Sequence, residues 1–290
     1  MSEDAFARHR SLLFTVAYEM LGSASDAEDV VQETWLRWAG VDHATVREAR
    51  AYLVRIVTRQ ALNRLRSMAR RREEYVGEWL PEPLLTGPDV AADIELAESV
   101  SMAMLTVLET LSPAERAVFV LREVFETPYE EIAEAVGKSP AAVRQIAHRA
   151  RDHVAARRPR VVVSTAEQQE AVDRFLAAVR QGDVQSLLDV LAPDVVIVAD
   201  GGGVAAAARH PIRGAERVAA FLIAAARTLD FEAKAVWLNG SPAARIDIAG
   251  ALDTAVSLSV EDGRITRIYA VRNPHKLARL DGVAALTRSS

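Results

Sequence analysis

The 290 residues contain no cysteine, which excludes disulfides, thiol catalysis and thiolate metal sites. Six histidines are present without an HxxxH pair, so the usual rescue of a zinc site is missing too, and neither metal nor cofactor is expected. No apolar run approaches the ~18 residues of a membrane-crossing helix. The opening MSEDAFARHR is charged where an export signal needs an apolar stretch. The expectation is a cytoplasmic protein with no membrane partner. Lysine is scarce, with only Lys138, Lys234 and Lys276, and arginine carries the positive charge. What is plentiful is apolar residues, 50% of the chain, enough to bury cores in about two domains of ~100–200 residues each.

The net charge of −5 argues against a nucleic-acid partner until its distribution is considered. From Ala44 to Tyr75 nine arginines face three acids, a local +6. From Lys138 to Arg160 seven basic residues face Asp152 alone, again +6. From Thr165 onward fifteen acids and fourteen bases nearly cancel. Charge clustering therefore belongs to the first 164 residues, either as solvated faces or as contacts for an acidic partner.

The first segment, residues 1–76, reads as helices throughout. SDAEDVVQETWLRW opens with Ser25 as N-cap and Glu28 three residues on, the pattern of a capping box. Ala27, Val31, Thr34, Trp35 and Trp38 then fall on one helical stripe, while Asp26, Asp29 and Glu33 line another that calls for a basic partner or for water. In the helix that follows, Leu53, Ile56, Val57, Leu65 and Met68 can pack inward. Arg55, Arg59, Asn63, Arg66 and Arg70 recur about once per turn, a spacing that suits phosphates and base edges. Tyr52 can stack on an unpaired base or serve as core.

Residues 77–93, GEWLPEPLLTGPDVAAD, concentrate Pro and Gly and cannot continue a helix. Trp79, Leu80, Leu84 and Leu85 are unusual in a flexible tether, so this linker is expected to pack on something. In the second helical segment, residues 94–158, three helices announce themselves alike: Ser112–Pro113 with Glu115, Thr127–Pro128 with Glu130, and Ser139–Pro140. Gly137 can close the middle one in the left-handed region, and GKS is the spacing of a helix-turn-helix. On the last helix Val143, Ile146, Ala147, Ala150 and Val154 form the packing stripe, which leaves Arg144, Gln145, His148, Arg149 and Arg151 outward. Arg suits guanine and Gln adenine, while Ser139 and the helix N-terminus can take a phosphate.

The third segment, residues 165–290, begins with two amphipathic helices and a strand, adds a helix at IRGAERVAAFLIAAART, and ends in β-branched, alternating strands with EDG as a hairpin turn. Helices first and a curled antiparallel sheet afterwards is an α+β plan, distinct from the all-α first half.

Together these motifs resemble a group IV (extracytoplasmic-function) sigma factor of RNA polymerase, of the SigJ-like subgroup. DAEDVVQETWLRW resembles the region 2 helix that grips the clamp helices of core polymerase, the basic helix resembles the element that captures the promoter −10 strand, and SPAAVRQIAHRARDHV the region 4 helix that reads −35. The third segment resembles a SnoaL-like cone of polyketide-cyclase type. WLPEP, DGGG and NPHKL resemble the subgroup's signatures. The fold implied is multidomain: two all-α sigma domains, a region 2 bundle and a region 4 helix-turn-helix that also meets the polymerase flap, followed by the α+β cone.

The resemblance assigns polymerase binding to Asp26, Asp29, Gln32, Glu33 and Trp35, and the opened −10 strand to Tyr52, Arg55, Arg59, Asn63, Arg66 and Arg70. Melting also needs an extruded base held in a protein pocket, where stacking and polar contacts offset the unstacking. The −35 element falls to Ser139, Arg144, Gln145, His148, Arg149 and Arg151. A regulatory contact between cone and sigma core falls to Trp79, Leu80, Pro81, Glu82, Pro83, Asp200, Gly201, Gly202, Gly203, Asn273, Pro274, Lys276 and Leu277. The subgroup commonly has lysine after DGGG and aspartate inside NPDKL, where this chain has Val204 and His275. The two motifs are therefore expected to face each other, minus one surface ion pair typically worth ~0–1 kcal/mol.

The glycine run in VADGGGVAAAARHP lacks the helix-opening spacing of a phosphate loop, and is expected to be a strand-end loop that forms a wall for a neighbouring segment. Asp200, Asp247 and Trp237 are conceivable cavity residues for acid–base chemistry in the cone, but the expectation is a non-enzymatic subunit. The alternative is a DNA-binding regulator whose cone senses or transforms a small metabolite.

Overall fold

The computed structural model describes residues 2–158 and 163–288, and the backbone alone of residues 2–4 and 69–72. The first three helices, α1 (Ser2–Leu21), α2 (Ala24–Ala39) and α3 (Ala49–Glu73), pack into one bundle. Leu12, Leu13 and Val16 of α1 meet Ala27, Val30 and Val31 of α2 and Leu53, Val57 and Leu65 of α3. The stripe on α2 is as the periodicity predicts, except that Trp35 is only half-buried, its ring 5.0 Å from that of Phe6. On α3 Leu53, Val57, Leu65 and Met68 are buried, with Ile56 partly exposed.

The predicted capping box at Ser25 is not the one formed. Ser23 is the N-cap of α2, its hydroxyl accepting from the Asp26 amide, and Glu28 pairs outward with Arg10 at 2.7 Å. The carboxylate expected from inside the helix arrives from the linker instead: Glu82 accepts from the Ser25 amide at 3.0 Å and from the hydroxyls of Ser23 and Ser25 at 2.9 Å each. Gly22 makes this approach possible. At φ +65° it turns the chain out of α1, and a Cβ there would stand 2.6 Å from the Glu109 carboxylate.

The second helical group comprises α4 (Pro88–Ala92), α5 (Ile94–Val100), α6 (Met102–Leu108) and α7 (Pro113–Phe119), the last running into a π turn at Val120–Val124. It ends with α8 (Tyr129–Val136) and α9 (Pro140–Ala155). Ser112 and Glu115 form the predicted capping box. Gly137 closes α8 in the left-handed region, and Ser139 caps α9 with Pro140 at its first position. Thr127 is not a cap, because Pro128 itself stands at the N-cap and the helix begins at Tyr129. Val143, Ile146, Ala147, Ala150 and Val154 are all buried. Their core is continuous with that of the first bundle, so the two helical groups share one apolar interior.

The third domain builds α10 (Thr165–Gln181), α11 (Val184–Val190) and α12 (Ala215–Thr228) against a six-stranded sheet. Its strands are β1 (Leu191–Asp200), β2 (Ile212–Arg213), β3 (Phe231–Leu238), β4 (Ser241–Ile248), β5 (Ala251–Glu261) and β6 (Arg264–Val271), in spatial order β2-β1-β6-β5-β4-β3. The sheet is not wholly antiparallel as expected: β1 pairs parallel to β6, because the chain between them makes a crossover through the other strands. This domain has its own core, centred on Val172, Phe175, Leu187, Val195, Val218 and Ile268. A smaller core joins it to the helical half, where Leu80 and Met102 meet Leu238, Tyr269 and Leu277.

Candidate site at the linker junction and the basic helix faces

The strand-end aspartate of DGGG lies at the centre of the contact between the three parts. The Asp200 side chain is fully buried, and four donors fill its two oxygens. Oδ1 accepts from the Tyr75 hydroxyl and from the Gly202 amide at 3.1 Å, while Oδ2 accepts from the Leu80 amide at 2.8 Å and from Lys276 Nζ at 2.7 Å. Lys276, carried by the short helix α13 (Pro274–Leu277), also donates to the Leu80 carbonyl and sits 3.3 Å from the Trp79 ring centroid. Burial lowers the Lys276 pKa while Asp200 raises it. With its donors directed at a carboxylate, a carbonyl and a ring face, the ammonium form fits the site. Burial and then the Asp200 hydrogen bond push the Tyr75 hydroxyl up, so it remains a donor.

The loop after Asp200 forms the wall its glycines predict. Gly202, at φ +62°, lies so close to Asn273 that a Cβ would be 2.3 Å from Nδ2, and the same Nδ2 donates to the Tyr75 hydroxyl at 2.8 Å. Gly203 backs onto Val76, and Gly201 onto its own loop at Ala205. The Arg272 and Asn273 amides both donate to the Asp200 carbonyl, at 2.7 and 3.0 Å. DGGG and NPHKL thus face each other, but through the buried Asp200–Lys276 pair, with Val204 and His275 exposed. Pro274 is exposed as well: it starts α13 and takes no part in the contact.

A second polar cluster continues the junction. Asn239, in the left-handed turn between β3 and β4, accepts from the Leu84 amide at 3.0 Å and donates to the Tyr18 hydroxyl at 2.7 Å and the Val100 carbonyl at 2.9 Å. Tyr18 in turn donates to the Glu82 carbonyl at 2.6 Å. Pro81 and Pro83 are buried on either side of Glu82. One chain of hydrogen bonds therefore links α1, the linker, α5 and the sheet. The final residues return to the helices, with the Thr287 amide donating to Thr15 Oγ1 at 3.1 Å and Arg288 pairing with Asp93 and Glu95.

On α2 the acidic stripe has an internal partner that sequence reasoning missed. Arg64 of α3 pairs with Asp26 at 2.8 Å and with Asp29, and Gln60 donates to Glu33 at 3.1 Å. Gln32 and Leu36 stay exposed, Leu36 at 66%. On the basic face Arg55 pairs with Glu134 at 3.0 Å and lies over Tyr52, whose ring packs on Trp38. Arg59 donates to the carbonyls of Glu134 at 2.7 Å and Ala135 at 3.4 Å, in the last turn of α8, where the helix dipole is negative. Asn63 and Arg66 are exposed and bonded to each other, and the Arg70 side chain lies outside the described residues.

The outer face of α9 is solvent-exposed. Arg144 pairs with Glu130 at 2.9 Å and Arg151 with Glu123 at 3.5 Å; His148 Nδ1 lies 3.3 Å from Asp152 Oδ2, Arg149 stands 4.0 Å from Glu115, and Gln145 is exposed. The Ser139 hydroxyl accepts from the Ala142 amide. None of Asp200, Asp247 and Trp237 lines the sheet domain's cavity. Asp200 points to the linker, Asp247 pairs with Arg245 at 2.7 Å, and Trp237 lies in the β3–β4 hairpin, its carbonyl accepting from the Thr86 amide. Among the described residues no cluster of His, Asp and Glu could hold a metal ion, and no helix is long and apolar enough to cross a membrane.

Comparison with known proteins gives a consistent pattern. Residues 5–72 match Sigma-70 region 2, and residues 101–154 match Sigma-70, region 4. The ECF RNA polymerase sigma factor SigJ of Mycobacterium tuberculosis is 37% identical, over 95% of this chain and 93% of that protein. The probable ECF RNA polymerase sigma factor SigI of the same organism is 32% identical, over 94% and 93%. The crystal structure of M. tuberculosis SigJ superposes with a TM-score of 0.76 at 33% identity, covering 95% of this chain and 98% of that one.

Proposed function

The chain belongs to the extracytoplasmic-function sigma factors of RNA polymerase, and on that premise we propose that its two helical groups grip core polymerase and read a promoter while its sheet domain holds them in a closed resting state. The protein is an initiation subunit and not an enzyme, and its place of action is the cytoplasm, where polymerase and promoter are.

In this account α2 meets the polymerase through Asp26, Asp29, Gln32, Glu33 and Trp35, with the exposed Leu36 beside them. The α3 face carrying Tyr52, Arg55, Arg59, Asn63, Arg66 and Arg70 takes the −10 strand, and the outer face of α9 takes the −35 element. Guanidinium groups spaced along two exposed helix faces supply both the phosphate attraction and the base-edge contacts such recognition needs.

The observation that carries the resting state is the placement of Arg55 and Arg59. Two of the groups assigned to the −10 strand are bonded to the last turn of α8, so the strand and α8 compete for them. Asp200 fixes the linker between the two helical groups, and through Glu82 the linker also caps α2.

Run-off transcription with core polymerase from a related bacterium tests the proposal, comparing the whole chain with Asp200→Asn. Promoter-dependent transcript from both, and more from the variant, is the expected result. No transcript from either, with no retention of core polymerase in a pull-down, would transfer the weight to a DNA-binding regulator of another kind.

A further inference from the structure

The sheet domain carries a cavity of about 140 Å³, open to solvent at one side, that promoter binding does not use. Its walls are apolar, with Phe175, Leu222, Phe231, Val256 and Ile268 among them. A cavity of about 150 Å³ lined in this way holds benzene. At the rim Phe221 and Leu229 are 38% and 40% exposed, large apolar side chains with no cover beside an open apolar space.

One end of the cavity is polar. Asp253 Oδ2 accepts from Arg272 Nε at 3.0 Å and from Thr254 Oγ1 at 2.6 Å, while Oδ1 accepts from Arg272 Nη2 at 2.8 Å. A carboxylate offers about four acceptor sites, two per oxygen, so Oδ1 has room for one more donor. Burial alone would raise the Asp253 pKa, but these hydrogen bonds hold it below the usual carboxylate range, so the acceptor persists at neutral pH. Arg272 already balances its charge. An anion would meet the carboxylate, a cation would meet the guanidinium, and a neutral hydroxyl donor suits both.

We propose that this cavity binds a small neutral molecule with a benzene-sized apolar body and one hydroxyl, which donates to Asp253 Oδ1. The site is joined to the junction by short links. Ala206 and Ala208 also line the cavity and lie in the loop that begins at Asp200, and Arg272 donates to the Ala206 carbonyl. The Arg272 amide donates to the Asp200 carbonyl at 2.7 Å, and the next residue is Asn273. An occupant packed against this loop orders it and tightens the junction. That coupling rests on the junction's role in the resting state; the binding itself does not.

Titration of the whole chain with phenol, alongside benzene and benzoate, tests the site by calorimetry or NMR. Phenol is expected to bind at least tenfold tighter than either, since benzene lacks the donor and benzoate brings a like charge to Asp253. Ala226→Phe, which fills the cavity from α12, is expected to abolish the binding, and the ranking of the three probes on the unaltered chain stands even if that variant folds poorly. Amide exchange at Leu80, whose N–H is held by Asp200, reads the coupling: at ten times the phenol Kd it should slow about tenfold. Absence of saturable phenol binding, or benzoate binding equally well, overturns the site. Phenol binding with unchanged Leu80 exchange overturns the coupling, and leaves the junction itself to be judged by transcription.

Discussion

The two helical groups meet chiefly through a continuous apolar core, whereas the sheet domain meets them through a smaller apolar core and a network of buried hydrogen bonds around one buried ion pair. The first kind of contact is strong but weakly directional, since apolar burial scales with area and tolerates small shifts. In the second each member is satisfied only in one arrangement, and an orphaned partner is costly. Such a junction is either fully formed or broken, which suits a device that must hold a closed state and then release it.

The sharpest way to break the contrast is Asp200→Ala, which removes the shared acceptor of the Lys276 ammonium, the Tyr75 hydroxyl and the Leu80 and Gly202 amides. Loss of one member of a buried pair costs about 3–5 kcal/mol, and thermal unfolding of the whole chain should record it. Asp200→Leu combined with Lys276→Met removes both charges and should cost less than Asp200→Ala alone. An equal or larger loss would mean that the pair is net stabilising and that the cost of Asp200→Ala is not that of an uncompensated buried charge.

The helix–helix interface includes a buried carboxyl that predicts a pH dependence. Glu19 is fully buried between α1 and α5, accepts from Ser99 at 2.8 Å through Oε1, and leaves Oε2 without a hydrogen bond. Burial pushes its pKa up to about 8. Between the ordinary carboxylate value and about 8 the folded chain keeps a proton that the unfolded chain releases, so stability falls as pH rises through that window. The slope is at most about 1.4 kcal/mol per pH unit. Glu19→Gln should flatten the dependence of stability on pH between 5 and 8 and raise stability at the upper end. Denaturant unfolding across that range measures it, and an unchanged slope would contradict the assignment.

Smaller effects are expected further from the cores. Glu82→Ala removes the linker's carboxylate from the start of α2, and losing such a cap costs about 0.5–2 kcal/mol. Amide exchange at Ser25 should quicken before global unfolding does. Arg55→Ala breaks a partly exposed pair with Glu134 worth about 0–1 kcal/mol. Stability should barely change, while promoter binding falls; the reverse would place Arg55 in the scaffold and not in recognition.

What the sequence revealed divides along the same line. The α9 packing stripe, the Ser112 and Ser139 caps and the Gly137 helix end were legible because each depends on residues within a turn or two. The linker's Trp79 and Leu80, the glycine wall and the motif containing Asn273 and Lys276 were identifiable as groups. Their partners were not, since the Tyr75–Asp200 and Tyr75–Asn273 bonds join residues 125 and 198 positions apart. Ser23 and Ser25 were equally good caps on local grounds, and Glu82, from outside the helix, decided how its N-terminus is closed. Arg64 was hidden within a run of arginines, and nothing local marked it as the partner of Asp26 and Asp29. Asn239–Gly240 did carry a signal, as an Asn-Gly hairpin turn, though not the three partners of its side chain.

The central claim is that a closed state, with the α3 arginines on α8, opens when the chain engages polymerase. Because the sequence has no cysteine, two introduced cysteines, Ser67→Cys on α3 and Lys138→Cys after α8, can carry a unique pair of distance labels. The distance between them should be short and single in the free chain and increase on addition of core polymerase and promoter DNA, with Asp200→Asn populating the longer distance unaided. A distance unchanged in a complex that initiates transcription would contradict the account.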